Sequence, residues 1–177
     1  MERKRGFEVI HDYQGKVNLP KRATKGAAGY DFEAAEEVII PSVWKGQLVE
    51  IAKLIWQGKD EGKEAEWQAM LKPVLVPTGI KAYMQEDEYL QLANRSSNPL
   101  KNFIVLPNGV GIIDADYYNN EKNEGHIMFQ FLNFGLTDKV IKKGDRIGQG
   151  IFLPFLKADA DQADGKRTGG FGSSGQR

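Results

Sequence analysis

Near its C-terminal end the chain gathers Arg167, Phe171, Ser173 and Ser174 among glycines, in the run Lys166-Arg167-Thr168-Gly169-Gly170-Phe171-Gly172-Ser173-Ser174-Gly175. That mixture could clamp a phosphorylated ligand. Glycine lets backbone N–H groups approach phosphate oxygens, serine adds donors, and arginine adds a forked cation. By composition alone the same run reads as disordered, because glycine, serine and charge cannot build a core. Other chemistries are narrowed quickly. Cysteine is absent, which removes disulfides, thiolate metal sites and cysteine nucleophiles together. The histidines are His11 and His126.

Something ordered must present such a tail. Short apolar runs recur between turn signals: Val38-Ile39-Ile40 stopped by Pro41, Val74 to Ile80 punctuated by Pro77 and Gly79, and Phe103 to Leu106 ending at Pro107-Asn108-Gly109. Gly111-Ile112-Ile113, Ile127 to Leu132 and Ile151-Phe152-Leu153 continue the series. This spacing predicts an all-β sandwich or barrel. One segment, about 42–72, breaks the pattern. Trp44, Leu48, Ile51 and Ile55 stand at helical spacing, Gly58 to Gly62 interrupts, and Glu64 to Leu71 suits a second short helix that Pro73 ends. It reads as a helical hairpin inserted into a β domain, its tryptophans stapling it to the barrel or its surface docking a protein partner. The domain then runs over 1–157, and 158–177 is a linker and flexible arm.

Composition bounds the partners. The 177 residues are 41% hydrophobic and 27% charged, with 24 basic and 24 acidic side chains. A neutral balance gives no reason to expect direct nucleic-acid binding or a charged membrane surface. The basic start, Met1 to Arg5, is not followed by an apolar run, so no signal peptide is expected, and no stretch is long and apolar enough for a membrane span. The absence of cysteine fits a reducing, cytoplasmic setting.

Five stretches in order carry a resemblance. Ala28-Gly29-Tyr30-Asp31-Phe32, Arg95-Ser96-Ser97, Asn108 to Tyr117, Gly144-Asp145-Arg146-Ile147-Gly148-Gln149 and the tail from Arg167 to Gly175 resemble the five motifs of the trimeric dUTPase family, of a phage or Gram-positive type. Each is weak alone; five in family order from residue 28 to 175 are specific. The resemblance implies a distorted jelly-roll β barrel, assembled as a homotrimer whose sites are shared by three subunits. The tail of one subunit would close over the site of another.

The implied reaction is hydrolysis of dUTP between the α- and β-phosphates, which needs an in-line water, charge neutralisation and close placement. By resemblance Asp114 activates the water; outside such a motif it would read as a turn carboxylate. Asp116, two residues on, would face the same side if the segment were a strand. A hairpin around Asn108, Gly111 and Ile113 would read uracil through its backbone, with the Asn108 side chain assisting. Cytosine would leave buried groups there unpaired. Tyr117 would lie beneath the deoxyribose and leave no room for a 2′-hydroxyl. Arg95, Ser96, Ser97, Gln149, Arg167, Gly172, Ser173 and Ser174 would bind phosphates, and Phe171 would stack on uracil. The implied cofactor is Mg²⁺, bridging the phosphates with no direct protein ligand, Asp31 and Gln149 reaching it through water. Arg146 reads as a buried ion-pair partner.

Three departures from the family pattern stand out. Residues 118–124 lengthen the turn after Tyr117, and are expected to be solvated and harmless. Asn98-Pro99 follows Arg95-Ser96-Ser97, where it would alter the phosphate loop modestly. The 42–72 insertion lies between the first two motifs. Two rivals share the shape: a dCTP deaminase, and a regulatory module that binds a partner through the insertion. The Ile113-Asp114-Ala115-Asp116-Tyr117 run and the tail point away from the first, and intact Asp114, Tyr117 and Phe171 argue that catalysis is retained.

Overall fold

Among the described residues, short β-branched and aromatic runs cut by proline and glycine become eleven strands. A computed structural model describes residues 3–45, 56 and 72–165. In chain order the strands are β1 (Gly6–Val9), β2 (Tyr30–Glu33), β3 (Val38–Ile40), β4 (Val74–Pro77), β5 (Ile80–Tyr83), β6 (Glu88–Asn94), β7 (Ile104–Val105), β8 (Gly111–Asp114), β9 (Met128–Asn133), β10 (Lys139–Ile141) and β11 (Arg146–Pro154). A short helix, α1 (Ser97–Asn102), and the 3₁₀ turns His11–Tyr13 and Ala115–Tyr117 connect them.

All the strand pairs are antiparallel. A four-stranded sheet, β2-β11-β6-β8, faces a three-stranded sheet, β4-β9-β7, and the pairs β1-β5 and β3-β10 complete the distorted jelly roll. Burial alternates along β6 and β9, as it must where one face of a strand meets a core. Phe32, Leu90, Leu92, Ile113 and Ile147 from the first sheet meet Val76, Ile104, Phe129 and Phe131 from the second. Phe129 stacks on Phe131, their rings 6.1 Å apart. Phe7 closes one side, with ring contacts to Tyr30, Phe32 and Phe152 at 5.2–5.4 Å.

The strand expected over Val74 to Ile80 is two strands, because Gly79 at φ +70° turns the chain between them. Phe103 is not in its strand either: it caps α1 in the left-handed region, at φ 55°. At the edge of the insertion, Ser42 to Lys45 form an anchored turn rather than the start of a helix. The Val43 N–H donates to the Asn133 carbonyl at 2.9 Å, and Trp44 Nε1 donates to the Phe134 carbonyl at 2.9 Å. Trp44 therefore does staple the segment's start to the barrel. Trp56 is helical and 92% exposed, so it does not. The remainder of the insertion, and the arm from 166 on, lie outside the described residues. Among the described residues, no helix is long and apolar enough to cross a membrane.

Candidate active site

Four of the five sequence motifs converge on the four-stranded sheet. β2 carries Asp31, β11 carries Arg146 and Gln149, β6 runs into Arg95, and β8 ends at Asp114. Register places Asp31 opposite Gln149 and Gln149 opposite Ala93. Because side chains alternate, Gln149 and Asp31 point away from the core while Gly148 and Gly150 point into it. A Cβ at Gly148 would sit 2.0 Å from the Phe129 ring, and one at Gly150 would sit 2.6 Å from that of Phe32. The glycines on either side of Gln149 thus exist to let two phenylalanines fill the core. Gly29 does the same outside: a side chain there would approach Gln149 to 3.0 Å.

Gln149 Nε2 donates to Asp31 Oδ1 and Arg146 donates to Asp31 Oδ2, each at 3.1 Å. Arg146 is thus an ion-pair partner, but a half-exposed one, its side chain 50% accessible against 10% for Asp31. Both Asp31 oxygens are engaged in holding this corner together. Arg95 joins it by donating to the Arg146 carbonyl at 3.1 Å. Ser96 and Ser97 begin α1 beside it, Ser96 exposed and without a side-chain capping bond. Asn98 is buried and its Nδ2 donates to Asn94 Oδ1 at 2.8 Å and to the Ile147 carbonyl at 2.9 Å. It ties the Arg95–Ser97 turn to β11, next to Gln149.

Asp114 lies elsewhere on the same outer face. It pairs with Tyr89, four residues along β6 from the Ala93 that faces Gln149. At roughly 3.3 Å per residue this is about 13 Å along the strand, and Arg95 is farther still. Asp114 is exposed beside a cleft of about 500 Å³ lined also by Glu88, Asp116 and Phe155. Glu88 is held by Arg5, whose Nε donates to it at 2.9 Å, and this bond holds its carboxyl below the usual range. Asp116 shares the cleft, but not by strand alternation: Ala115–Tyr117 is a 3₁₀ turn.

The segment from Asn108 to Tyr117 is not a paired hairpin. β7 belongs to the three-stranded sheet and β8 to the four-stranded one, so residues 106–110 cross between sheets. The five residues between β7 and β8 exceed the two-residue loop of a tight hairpin. Gly109 turns the chain at φ +70°, its N–H donating to the Leu106 carbonyl at 3.0 Å, and Asn108 is exposed at the bend. Ile113 buries its side chain in the core, and Gly111 packs against Leu92, so both would offer a ligand only their backbone. Tyr117 is 2% exposed, and its hydroxyl donates to the His126 carbonyl at 3.0 Å.

The lengthened turn is not a solvated bystander. Asn123 Nδ2 donates to the Tyr117 hydroxyl at 2.8 Å, and Lys81 Nζ donates to Asn119 at 2.6 Å and to Glu124 at 3.3 Å. Polar side chains in a stretch without apolar spacing look solvated in sequence, because their partners are remote in the chain. Beside the turn, His126 accepts the Gly79 N–H at Nε2, 2.9 Å away, which requires a neutral ring protonated at Nδ1. Burial lowers its pKa against the raising influence of Glu36, Glu124 and Asp12. These carboxylates border a second cleft, of about 740 Å³, whose lining includes none of the motif residues among those described. Arg167, Phe171, Gly172, Ser173 and Ser174 lie outside the described residues.

The dUTPase family model matches residues 63–175. The deoxyuridine 5′-triphosphate nucleotidohydrolase of Lactococcus lactis is 47% identical over 97% of each chain. Among solved structures, the dUTPase of Streptococcus mutans superposes with a TM-score of 0.69 at 44% identity, over 87% of this chain and 98% of that one. A dUTPase of the S. aureus phage phi11, described with a structural Mg(II) ion, shares the fold at a TM-score of 0.61 and 15% identity, over 92% of this chain and 98% of the other.

Proposed function

The chain belongs to the dUTPase family and hydrolyses dUTP, and on that premise we propose that copies of it divide the reaction among themselves as a homotrimer. One observation supports this reading above the others. Asp114 and the Arg95–Asp31–Gln149 corner share one sheet face yet stand about 13 Å or more apart along it. Side chains of one face stand roughly perpendicular to the sheet and so do little to close that gap, and the α- and γ-phosphates of one nucleotide are separated by only two P–O–P steps. Asp114 of one copy facing the Arg95 corner of another brings the two within one substrate's length.

In this mechanism Asp114 orients a water in line with the α-phosphorus. As the water's oxygen bonds to phosphorus, its proton passes to the carboxylate, and the bond to the bridging oxygen of the β-phosphate breaks. The products are dUMP and pyrophosphate, which keeps uracil out of DNA and supplies dUMP for dTMP synthesis. Backbone groups of Gly111 and Ile113 and the side chain of Asn108 read the uracil edge. Tyr117 floors the sugar pocket. Arg95, Ser96, Ser97 and Gln149 hold phosphates from one side. Arg167, Gly172, Ser173 and Ser174 do so from the tail of a third copy, with Phe171 stacked on the base. Closure excludes bulk water and strengthens each charge interaction within.

Magnesium fits this donor set as an ion that arrives with the triphosphate. Asp31 and Gln149 lie side by side on the outer sheet face, oxygen donors suited to the water shell that Mg²⁺ readily keeps. Asp31 and Gln149 would hold it through those waters, and it would neutralise charge on the phosphates. The test is pyrophosphate release from dUTP, dCTP, dTTP and UTP, with Mg²⁺ and with a chelator. Release from dUTP alone, dependent on the metal, is expected. Equal release from UTP would remove the sugar floor, and full activity in chelator would remove the metal.

A further inference from the structure

Residues 118–124, which extend the turn after Tyr117, fold back onto that tyrosine. Its hydroxyl sits between two groups supplied by this return: it accepts from Asn123 Nδ2 at 2.8 Å and donates to the His126 carbonyl at 3.0 Å. Asn123 also shapes the turn, since its Oδ1 accepts the Gly125 N–H at 3.2 Å. Gly125 lies at φ +80°, and a Cβ there would stand 2.4 Å from the Tyr117 carbonyl oxygen, so only glycine lets the chain return this closely. The far side of the turn is fastened too. Tyr118 donates to Glu8 at 2.6 Å, Lys81 bridges Asn119 and Glu124, and Glu124 accepts the His11 N–H at 3.2 Å.

We propose that Asn123 is a positioning residue for sugar selection: by donating to the Tyr117 hydroxyl it holds the ring at the height that admits a 2′-hydrogen and rejects a 2′-hydroxyl. The inference rests on Tyr117 being the floor of the sugar pocket. Steric rejection works only if the floor cannot retreat. Tyr117 and His126 are buried, and withdrawal of the hydroxyl would strand it and the His126 carbonyl away from water. The extension thus turns a packed aromatic into a rigid one.

The experiment compares kcat/KM for dUTP and UTP in the full-length enzyme. Asn123→Asp keeps the oxygen that accepts from Gly125 but faces the Tyr117 hydroxyl with a second acceptor, so its one proton can no longer satisfy both residue 123 and the His126 carbonyl. It should lower the dUTP/UTP ratio on the order of tenfold, with the protein still folded at the assay temperature. Tyr117→Phe removes that bond together with the one to the His126 carbonyl and should lower the ratio at least as much. The double variant should match Tyr117→Phe alone, because Asn123 acts through the hydroxyl that Tyr117→Phe removes. A parental ratio in Asn123→Asp, or in Tyr117→Phe if the former does not fold, overturns the positioning role. If Tyr117→Ala also keeps the parental ratio, the sugar floor itself is wrong; if it relaxes the ratio alone, the floor stands and Asn123 does not position it.

Discussion

Asp114 is exposed at the end of β8, on the outer face of its sheet, where a carboxylate contributes little to packing. Asp114→Asn keeps the shape and removes the proton acceptor. Equilibrium binding of dUTP should persist while single-turnover hydrolysis slows on the order of 10²- to 10⁴-fold; near-parental turnover would end the water-activation role. A buried histidine makes a separate residue-scale prediction. The pKa of His126 in the folded protein lies below the ordinary 6.5, chiefly through burial. The unfolded chain therefore takes up a proton before the folded one does. The contribution of His126 to stability is complete above pH 6.5 and is lost as pH falls toward the lowered folded value. Thermal melts between about pH 5 and pH 8 should show this decline. In His126→Gln, which keeps an acceptor for the Gly79 N–H, that part of the profile should flatten. Glu8 and Glu88, both held below their ordinary 4.5, act in a lower window and leave this one distinct.

Elements here are joined by buried amides as much as by strands. Asn98 connects α1 to β6 and β11, and Asn133 ties β9 to the Ile40 and Thr137 carbonyls at 3.0 and 2.8 Å. Replacing Asn98 by alanine would leave the Ile147 carbonyl and the Asn94 side chain without this donor. The expected loss is about 1–3 kcal/mol in denaturant unfolding. Because the Arg95–Ser97 turn hangs on the same bonds, KM for dUTP should rise as well. A stability loss with unchanged KM would separate the turn's anchoring from its function. Asn98 was legible in sequence only as a departure from a family pattern, since the carbonyl it bonds, that of Ile147, lies 49 residues on in β11.

At the scale of the whole molecule, the proposal that one site draws on more than one chain can be tested with mixed oligomers. Asp114→Asn and Arg95→Ala chains should each be nearly inactive alone. Refolded together, they should regain activity, because some sites then combine an intact Asp114 from one chain with an intact Arg95 from another. No recovery, with mixed oligomers shown to form, would place both groups in a single-chain site. Removing the chain beyond Lys166 should abolish most turnover while the barrel's melting transition survives, and loss of that transition would make the arm structural.

Much of this was readable from residues alone. The all-β class followed from short apolar runs cut by Pro41, Gly79 and Asn108-Gly109, because turn chemistry is local. The family followed from five motifs in order, because a site that must meet one substrate keeps its residue types and their sequence. Three things had to wait for the fold. The segment 106–110 crosses between sheets, since pairing depends on which strands lie alongside, not on the turn itself. The turn after Tyr117 is an anchor, since the partners of Asn119 and Glu124 lie some forty residues away on β5. The glycines around Gln149 are spaces for Phe129 and Phe32, which only the packed core reveals. Local rules govern which elements form and which residues can react; distance along the chain hides which of them meet, and that is decided when the two sheets close on one core.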